Sequence, residues 1–182
     1  MTATPNNLIV DDDLVSIKIL LKALVGMGNL HFASSGTKAL ERLSEHPIDL
    51  VLLDIEMPEL DGFATCRTLR QDHPEIPVVF ITATDDPASE IQALGVGGHD
   101  FITKPINPPV VRARVALHLE LRAQNTAHRQ FEEALRLTNE RLDAIISALP
   151  DLMFRVDRTG TIKEYHTPIS FTFPRLYSWE RR

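Results

Sequence analysis

Ile48-Asp49-Leu50-Val51-Leu52-Leu53-Asp54-Ile55-Glu56-Met57-Pro58-Glu59-Leu60-Asp61-Gly62 is the stretch that decides the fold. An apolar run of strand length stops at a carboxylate, and a proline and a glycine follow at once. In an open parallel sheet such a carboxylate faces the crevice beyond the carboxyl end of its strand, where ligands bind. Three more segments end in the same way. Leu8-Ile9-Val10 runs into Asp11, Asp12 and Asp13. Pro77-Val78-Val79-Phe80-Ile81 runs into Thr82, and Asp100-Phe101-Ile102-Thr103 into Lys104. Acids, a hydroxyl and an amine at four strand ends make a site for a divalent cation and a phosphoryl group.

The segments between these strands have helical periodicity. Leu14, Ile17, Leu20, Leu21 and Leu24 share one face of a helix from Asp13 to Val25, and Gly26 and Gly28 stop it. A second strand from Leu30 to Ala33 precedes a helix that Ser35 or Thr37 opens and His46-Pro47 ends. Further helices are expected from Asp61 to Gln71 and from Pro87 to Leu94. Strands alternating with helices imply an α/β fold, a doubly wound five-stranded parallel sheet covered on both faces.

Composition sets the outer limits. The 182 residues are 43% hydrophobic and 24% charged, ordinary for a soluble globular protein. No apolar run approaches the ~18 residues of a membrane span, and the polar start Met1-Thr2-Ala3-Thr4-Pro5-Asn6-Asn7 is not a signal peptide. One cysteine, Cys66, allows no internal disulfide and fits a reducing cytoplasm. Charge is unevenly shared: residues 1–105 carry 16 acids against 7 bases, residues 106–182 carry 9 against 12. The first part is too acidic to hold nucleic acid by itself. The bases of the second part alternate with acids, as on a solvated helix face.

The chemistry follows from charge. A phosphoryl group is repelled by a carboxylate, so transfer to Asp54 needs a cation between them. Asp11, Asp12 and Asp54 offer hard oxygen ligands of the kind Mg²⁺ takes, and the backbone carbonyl of Glu56 is a further candidate. Thr82 can donate to a phosphoryl oxygen, and Lys104 supplies a compact positive charge. Asp54 is then the nucleophile, giving an aspartyl phosphate.

These residues together resemble the receiver domain of two-component response regulators. The resemblance rests on Val10-Asp11-Asp12, on Asp54 through Gly62, on Ile81-Thr82-Ala83 and on Phe101-Ile102-Thr103-Lys104-Pro105. It implies a flavodoxin-like sheet of order 2-1-3-4-5, with Asp54 as phosphoacceptor and Asp11 and Asp12 as metal-site acids. It also implies Thr82 and Lys104 as phosphate-sensing groups, Thr82 and Phe101 as the switch, Mg²⁺ as cofactor and a cis Lys104-Pro105 bond. The phosphoryl donor it implies is a sensor histidine kinase, and the receiver carries no separate catalytic domain.

Past Pro109 the texture changes to a long helix reaching residue 149, without glycine or internal proline. Leu121, His128, Leu135, Leu142 and Leu149 recur every seven residues, as do Leu117, Gln124, Phe131, Thr138 and Ile145. Seven of these ten are apolar, which favours a parallel dimeric coiled coil. The helix is expected to join two copies through residues 110–149. Beyond Pro150, two strands flank the turn Asp157-Arg158-Thr159-Gly160. With Ile146-Ser147-Ala148-Leu149-Pro150-Asp151-Leu152-Met153-Phe154, this resembles the opening of a PAS domain cut short. The expected organisation is a receiver over 1–120, a signalling helix over 121–149 and an incomplete PAS-like segment over 150–182.

Two other classes compete with a phosphorylation-driven module. One is a dimerisation scaffold with a vestigial acidic pocket, or the receiver part of a hybrid kinase or cyclase. The other is an aspartyl-phosphate hydrolase, which resembles Asp-x-Asp, whereas here Asp54-Ile55-Glu56 is followed by Met57-Pro58. No metal-ligand spacing joins His31, His46, His73, His99, His118 and His166, and no glycine-rich nucleotide loop is present.

Overall fold

The computed structural model describes residues 4–83, 87–148, 153–159 and 162–166. Two compact units divide the chain, Met1–Ala127 and His128–Arg182.

In the first unit five strands alternate with helices: β1 Asn6–Val10, α1 Leu14–Ala23, β2 Asn29–Ala33, α2 Gly36–Glu45, β3 Leu50–Asp54. Then come α3 Gly62–Asp72, β4 Val78–Thr82, α4 Pro87–Gly95, β5 Asp100–Thr103 and α5 Pro108–Ala148, whose residues from His128 on belong to the second unit. All strand pairs are parallel, in the order β2-β1-β3-β4-β5. This is the doubly wound sheet that the sequence implies.

Strand alternation sorts the core into two layers. Leu8, Val10, Val51, Leu53, Val78 and Phe80 face Ala39 and Leu43 of α2, Cys66 and Leu69 of α3, and Ala93 of α4. Ile9, Leu50, Leu52, Val79 and Ile81 face Ile17, Leu20 and Leu24 from α1 and Val111 and Val115 from α5. Successive strand residues point to opposite faces, so one apolar run feeds both layers. Every residue of β3 and β4 is buried.

Helix starts follow local capping chemistry. Asp13 is not inside α1 but caps it, its carboxylate accepting from the amides of Val15 and Ser16 at 2.9 and 3.2 Å. Those bonds pull its pKa below the ordinary carboxylate value. Ser35 caps α2 and Asp61 caps α3 in the same manner. The expected end of α1 at Val25 is two residues long: the helix stops at Ala23 with Leu24 as its cap.

α5 changes character along its length. Val111 and Val115 are fully buried and His118 nearly so, while residues 123–145 are all exposed. The stripe read as a seam lies in water in this chain, with Phe131 68% exposed and Leu135, Leu142 and Ile145 each 51%. Among the described residues no helix is long and apolar enough to cross a membrane.

In the second unit β6 Met153–Val156 and β7 Ile162–His166 form an antiparallel hairpin. Asp157 shapes its turn, accepting from the amide of Thr159 at 2.9 Å. Leu149 through Leu152, Gly160, Thr161 and everything after His166 lie outside the described residues, so much of the PAS resemblance falls there.

Candidate functional site

The sheet brings the sequence-selected residues to one edge. Asp54 is the last residue of β3 and Thr82 the last of β4, while Asp11 and Lys104 stand just past β1 and β5. Pairing fixes their relative height: Val10 lies beside Leu53, Asp54 beside Ile81 and Thr82 beside Thr103. One carboxylate oxygen each from Asp11, Asp12 and Asp54 falls within 4.8 Å of the others. Asp11 is fully buried and Asp54 3% exposed, whereas Asp12 is open to solvent.

Lys104 binds this acidic group together. Its ammonium donates to Asp54 Oδ2 at 2.9 Å and to Asp11 Oδ2 at 3.2 Å. The other Asp11 oxygen accepts from the Asp13 amide at 2.8 Å. Burial pushes the Asp54 carboxyl up to about 6, and the neighbouring Asp11 charge adds to the rise, although the Lys104 hydrogen bond opposes it. Burial works against the Lys104 charge too, but its bonds to Asp54 and Asp11 prevail and hold its pKa above the usual lysine value. Three carboxylates and one ammonium leave an excess of negative charge in a pocket closed around Asp11 and Asp54 and open at Asp12. A hard divalent cation fits that donor set, because oxygen ligands with one solvent-facing side are what Mg²⁺ accepts.

The loop after Asp54 is shaped to return over the strand end. Glu59 takes a left-handed φ of 66°, and the Gly62 amide reaches back to Ile55 O at 3.0 Å. A Cβ on Gly62 would lie 2.2 Å from Asp54 O, so only glycine permits this approach. Met57 tucks into the core, and the side chain of Glu56 stays in solvent. The Lys104-Pro105 bond is cis.

Thr82 and Phe101 share a face. Thr82 is two residues from Phe80 on β4, and Phe80 pairs with Phe101 on β5. Period-2 alternation therefore puts the Thr82 side chain and the Phe101 ring on the same side of adjacent strands. Phe101 is only half-buried against its layer.

Sequence reading missed a second polar group, at the opposite end of β5. Asp100 binds Arg114 and His118 of α5, contacts across 14 and 18 residues that no local pattern announces. The one available hint is that Arg114 and His118 stand four apart on the helix and share a face.

A family model described as the response regulator receiver domain matches residues 8–116, more than half of the chain. A probable cyclic di-GMP phosphodiesterase of Vibrio cholerae serotype O1 is 36% identical over 155 residues, 80% of this chain and 35% of that protein. The transcriptional regulatory protein ZraR of Escherichia coli K12 is 41% identical over 101 residues, 55% of this chain and 23% of its own length. The chain thus spans about a third or less of these two relatives. Among solved structures, the beryllofluoride-activated DrrB receiver domain superposes with a TM-score of 0.61 at 29% identity, covering 65% of this chain and 99% of that one. Fold, strand-end chemistry and family match agree, and the chain belongs to the response regulator receiver family.

Proposed function

We propose that this chain receives a phosphoryl group on Asp54 from a phosphohistidine of a sensor kinase and passes the event to α5. The observation that carries this reading is the pairing of a nearly buried Asp54 with Lys104 at 2.9 Å inside a cluster of three acids. The phosphorus–nitrogen bond of the donor breaks, and a bond from phosphorus to an Asp54 carboxylate oxygen forms. Asp11, Asp12, Asp54 and the Glu56 carbonyl are the groups that hold Mg²⁺. When bound, the ion neutralises phosphoryl oxygens so that two anionic partners can approach. Lys104 then moves its hydrogen bond from the carboxylate to a phosphoryl oxygen, and Thr82 donates to another. With Thr82 drawn to the phosphoryl group, the space beside it on the same face admits the Phe101 ring. Such a change biases a two-state surface only through contacts that differ between the states, and Thr82, Phe101 and Lys104 supply them.

The distal α5 is read as a parallel coiled coil joining two copies. Seven of the ten seam positions are apolar and every side chain from 123 to 145 lies in water, a face that a second helix would cover. The stretch 150–182 is read as the start of a PAS-like segment. The module works in the cytoplasm without binding nucleic acid itself. A second reading, in which this receiver governs a cyclic di-GMP enzyme in a longer chain, is favoured by the Vibrio relative matched over 155 residues.

The test is incubation with acetyl phosphate or beryllofluoride and Mg²⁺, following intact mass and light scattering. The expected result is a labile gain of one phosphate that Asp54→Asn abolishes, with a shift in dimer population. No modification of the wild type, with a constant dimer, favours the scaffold reading instead.

A further inference from the structure

Asp100 opens β5, and its carboxylate is held from two directions. On the strand side, Oδ1 accepts the amide of Phe101 at 2.9 Å. On the helix side, Arg114 donates to both oxygens at 3.1 and 2.9 Å, and His118 Nε2 donates to Oδ2 at 3.0 Å. The Asp100 and His118 side chains are 11% and 10% exposed. One desolvated carboxylate therefore joins the backbone of the switch aromatic to two consecutive turns of α5.

Val111 and Val115 of α5 pack in one apolar layer with Ile102 of β5, but the other arginines of the helix bind elsewhere. Arg112 donates to the carbonyls of Ala23, the last residue of α1, and Val25 at 2.8 and 3.0 Å. Arg122 donates to Asp49 O ahead of β3 at 2.9 Å. Of these arginines only Arg114 binds β5, the strand that leads into Lys104. β5 is also lightly held by the sheet. It lies at the sheet edge, pairs with β4 alone and has four residues, about 13 Å of extended chain.

Resting on the receiver reading above, we propose that Asp100 is a positioning residue that transmits phosphorylation from β5 to α5. When Lys104 and Phe101 rearrange around the phosphoryl group, β5 is displaced along or across the sheet edge. Releasing Asp100 would strand a nearly buried carboxylate without the Arg114 guanidinium and the His118 N–H, which is more costly than carrying both with it. The helix follows the carboxylate, and α5 shifts relative to α1 and β3, where Arg112 and Arg122 are attached.

The experiment pairs two readouts on the whole chain: acetyl phosphate labelling by intact mass, and amide hydrogen exchange over residues 108–122 with and without beryllofluoride and Mg²⁺. Asp100→Asn is expected to label within about twofold of wild type, while its beryllofluoride-induced change in α5 exchange falls by about fivefold or more, the low end of typical coupling. Arg112→Gln is expected to keep that change. If Asp100→Asn responds as the wild type does, or Arg112→Gln loses as much, the assignment to Asp100 is overturned. Should Asp100→Asn not fold, His118→Gln, which keeps the Arg114 tie, decides by the same two readouts. A wild type that labels without any change in α5 exchange overturns the transmission proposal alone. A wild type that does not label overturns the receiver reading and this proposal with it.

Discussion

The two ends of the sheet use the same residue types to opposite effect. At the carboxyl ends, Asp11, Asp12 and Asp54 crowd together around Lys104. At the amino ends each acid is matched: Asp100 with Arg114 and His118, Asp49 with Arg122 at 3.5 Å and the Asn6 amide at 2.9 Å. At the first place Asp54 is held against its own electrostatic preference, while at the second each carboxylate has a guanidinium beside it. Depth does not distinguish them, since each set pairs enclosed acids with a more open one: Asp11 and Asp54 with Asp12, Asp100 with Asp49. Charge balance does, and it separates a place where chemistry happens from a place where elements are fastened.

Removing one acid from each end sharpens the contrast, because the signs should differ. Asp100→Asn leaves Arg114 and His118 without their carboxylate. Breaking a buried pair costs several kcal/mol, reduced here because Arg114 is 48% exposed, so a loss of about 2 kcal/mol is expected in urea unfolding. Asp54→Asn should instead stabilise the metal-free protein at pH 7, by about 1–2 kcal/mol. The folded-state pKa of Asp54 is raised from 3.8 to about 6, so between those values the folded protein binds the extra proton. Wild-type stability therefore falls as pH rises from 3.8 to about 6 and stays reduced at neutrality. The variant has no such fall. Two losses of equal size would break the comparison.

Cation addition probes the same excess charge. Mg²⁺ at ten times its dissociation constant should stabilise the wild type by about 1.4 kcal/mol, raising its melting temperature. Asp54→Asn, with one charged ligand fewer, should gain less. A melting temperature unmoved by Mg²⁺ in the wild type would show that the acids already have all the neutralisation they need from Lys104.

The unequal legibility of the two ends has the same root. Site residues announce themselves because each ends an apolar strand, and period and burial place strand ends together without further information. Caps such as Asp13, Ser35 and Asp61 are legible because their partners are two or three residues away. The fastening at Asp100 is not, since its partners lie on another element and any exposed arginine would look alike in sequence. Asn7 is a similar case. A fully buried amide inside β1 is not readable as core, yet its Nδ2 donates to Met27 O at 2.9 Å. β1 accordingly begins at Asn6 rather than Leu8, and Asn7 pairs with Leu30 and Leu50 in the ladder. The stripe on distal α5 is the reverse: its pattern is plain, but among the described residues nothing covers it.

The smallest expected effect is a pH slope of opposite sign at the fastened end. His99 Nδ1 accepts the Val78 amide at 3.3 Å and faces the Arg70 guanidinium at 3.2 Å, while the His118 ring, itself bound to Asp100, stands 6.3 Å away. A proton on Nδ1 would lose both bonds and meet a cation. Burial first, then Arg70 and His118, hold its pKa below 6.5. The folded protein thus binds this proton less readily than the unfolded chain, and stability declines as pH drops below 6.5. In the wild type Asp54 masks this by gaining stability over much of the same range. The Asp54→Asn background exposes it: melting temperature should fall on acidification from 6.5 toward about 5, and His99→Asn should flatten that slope. It should not abolish it, because burial, His46 and Arg42 hold His31 down in the same direction. A slope indifferent to His99→Asn would mean that the Arg70 guanidinium yields to the protonated ring, and that this end of the sheet is less firmly fastened than its hydrogen bonds imply.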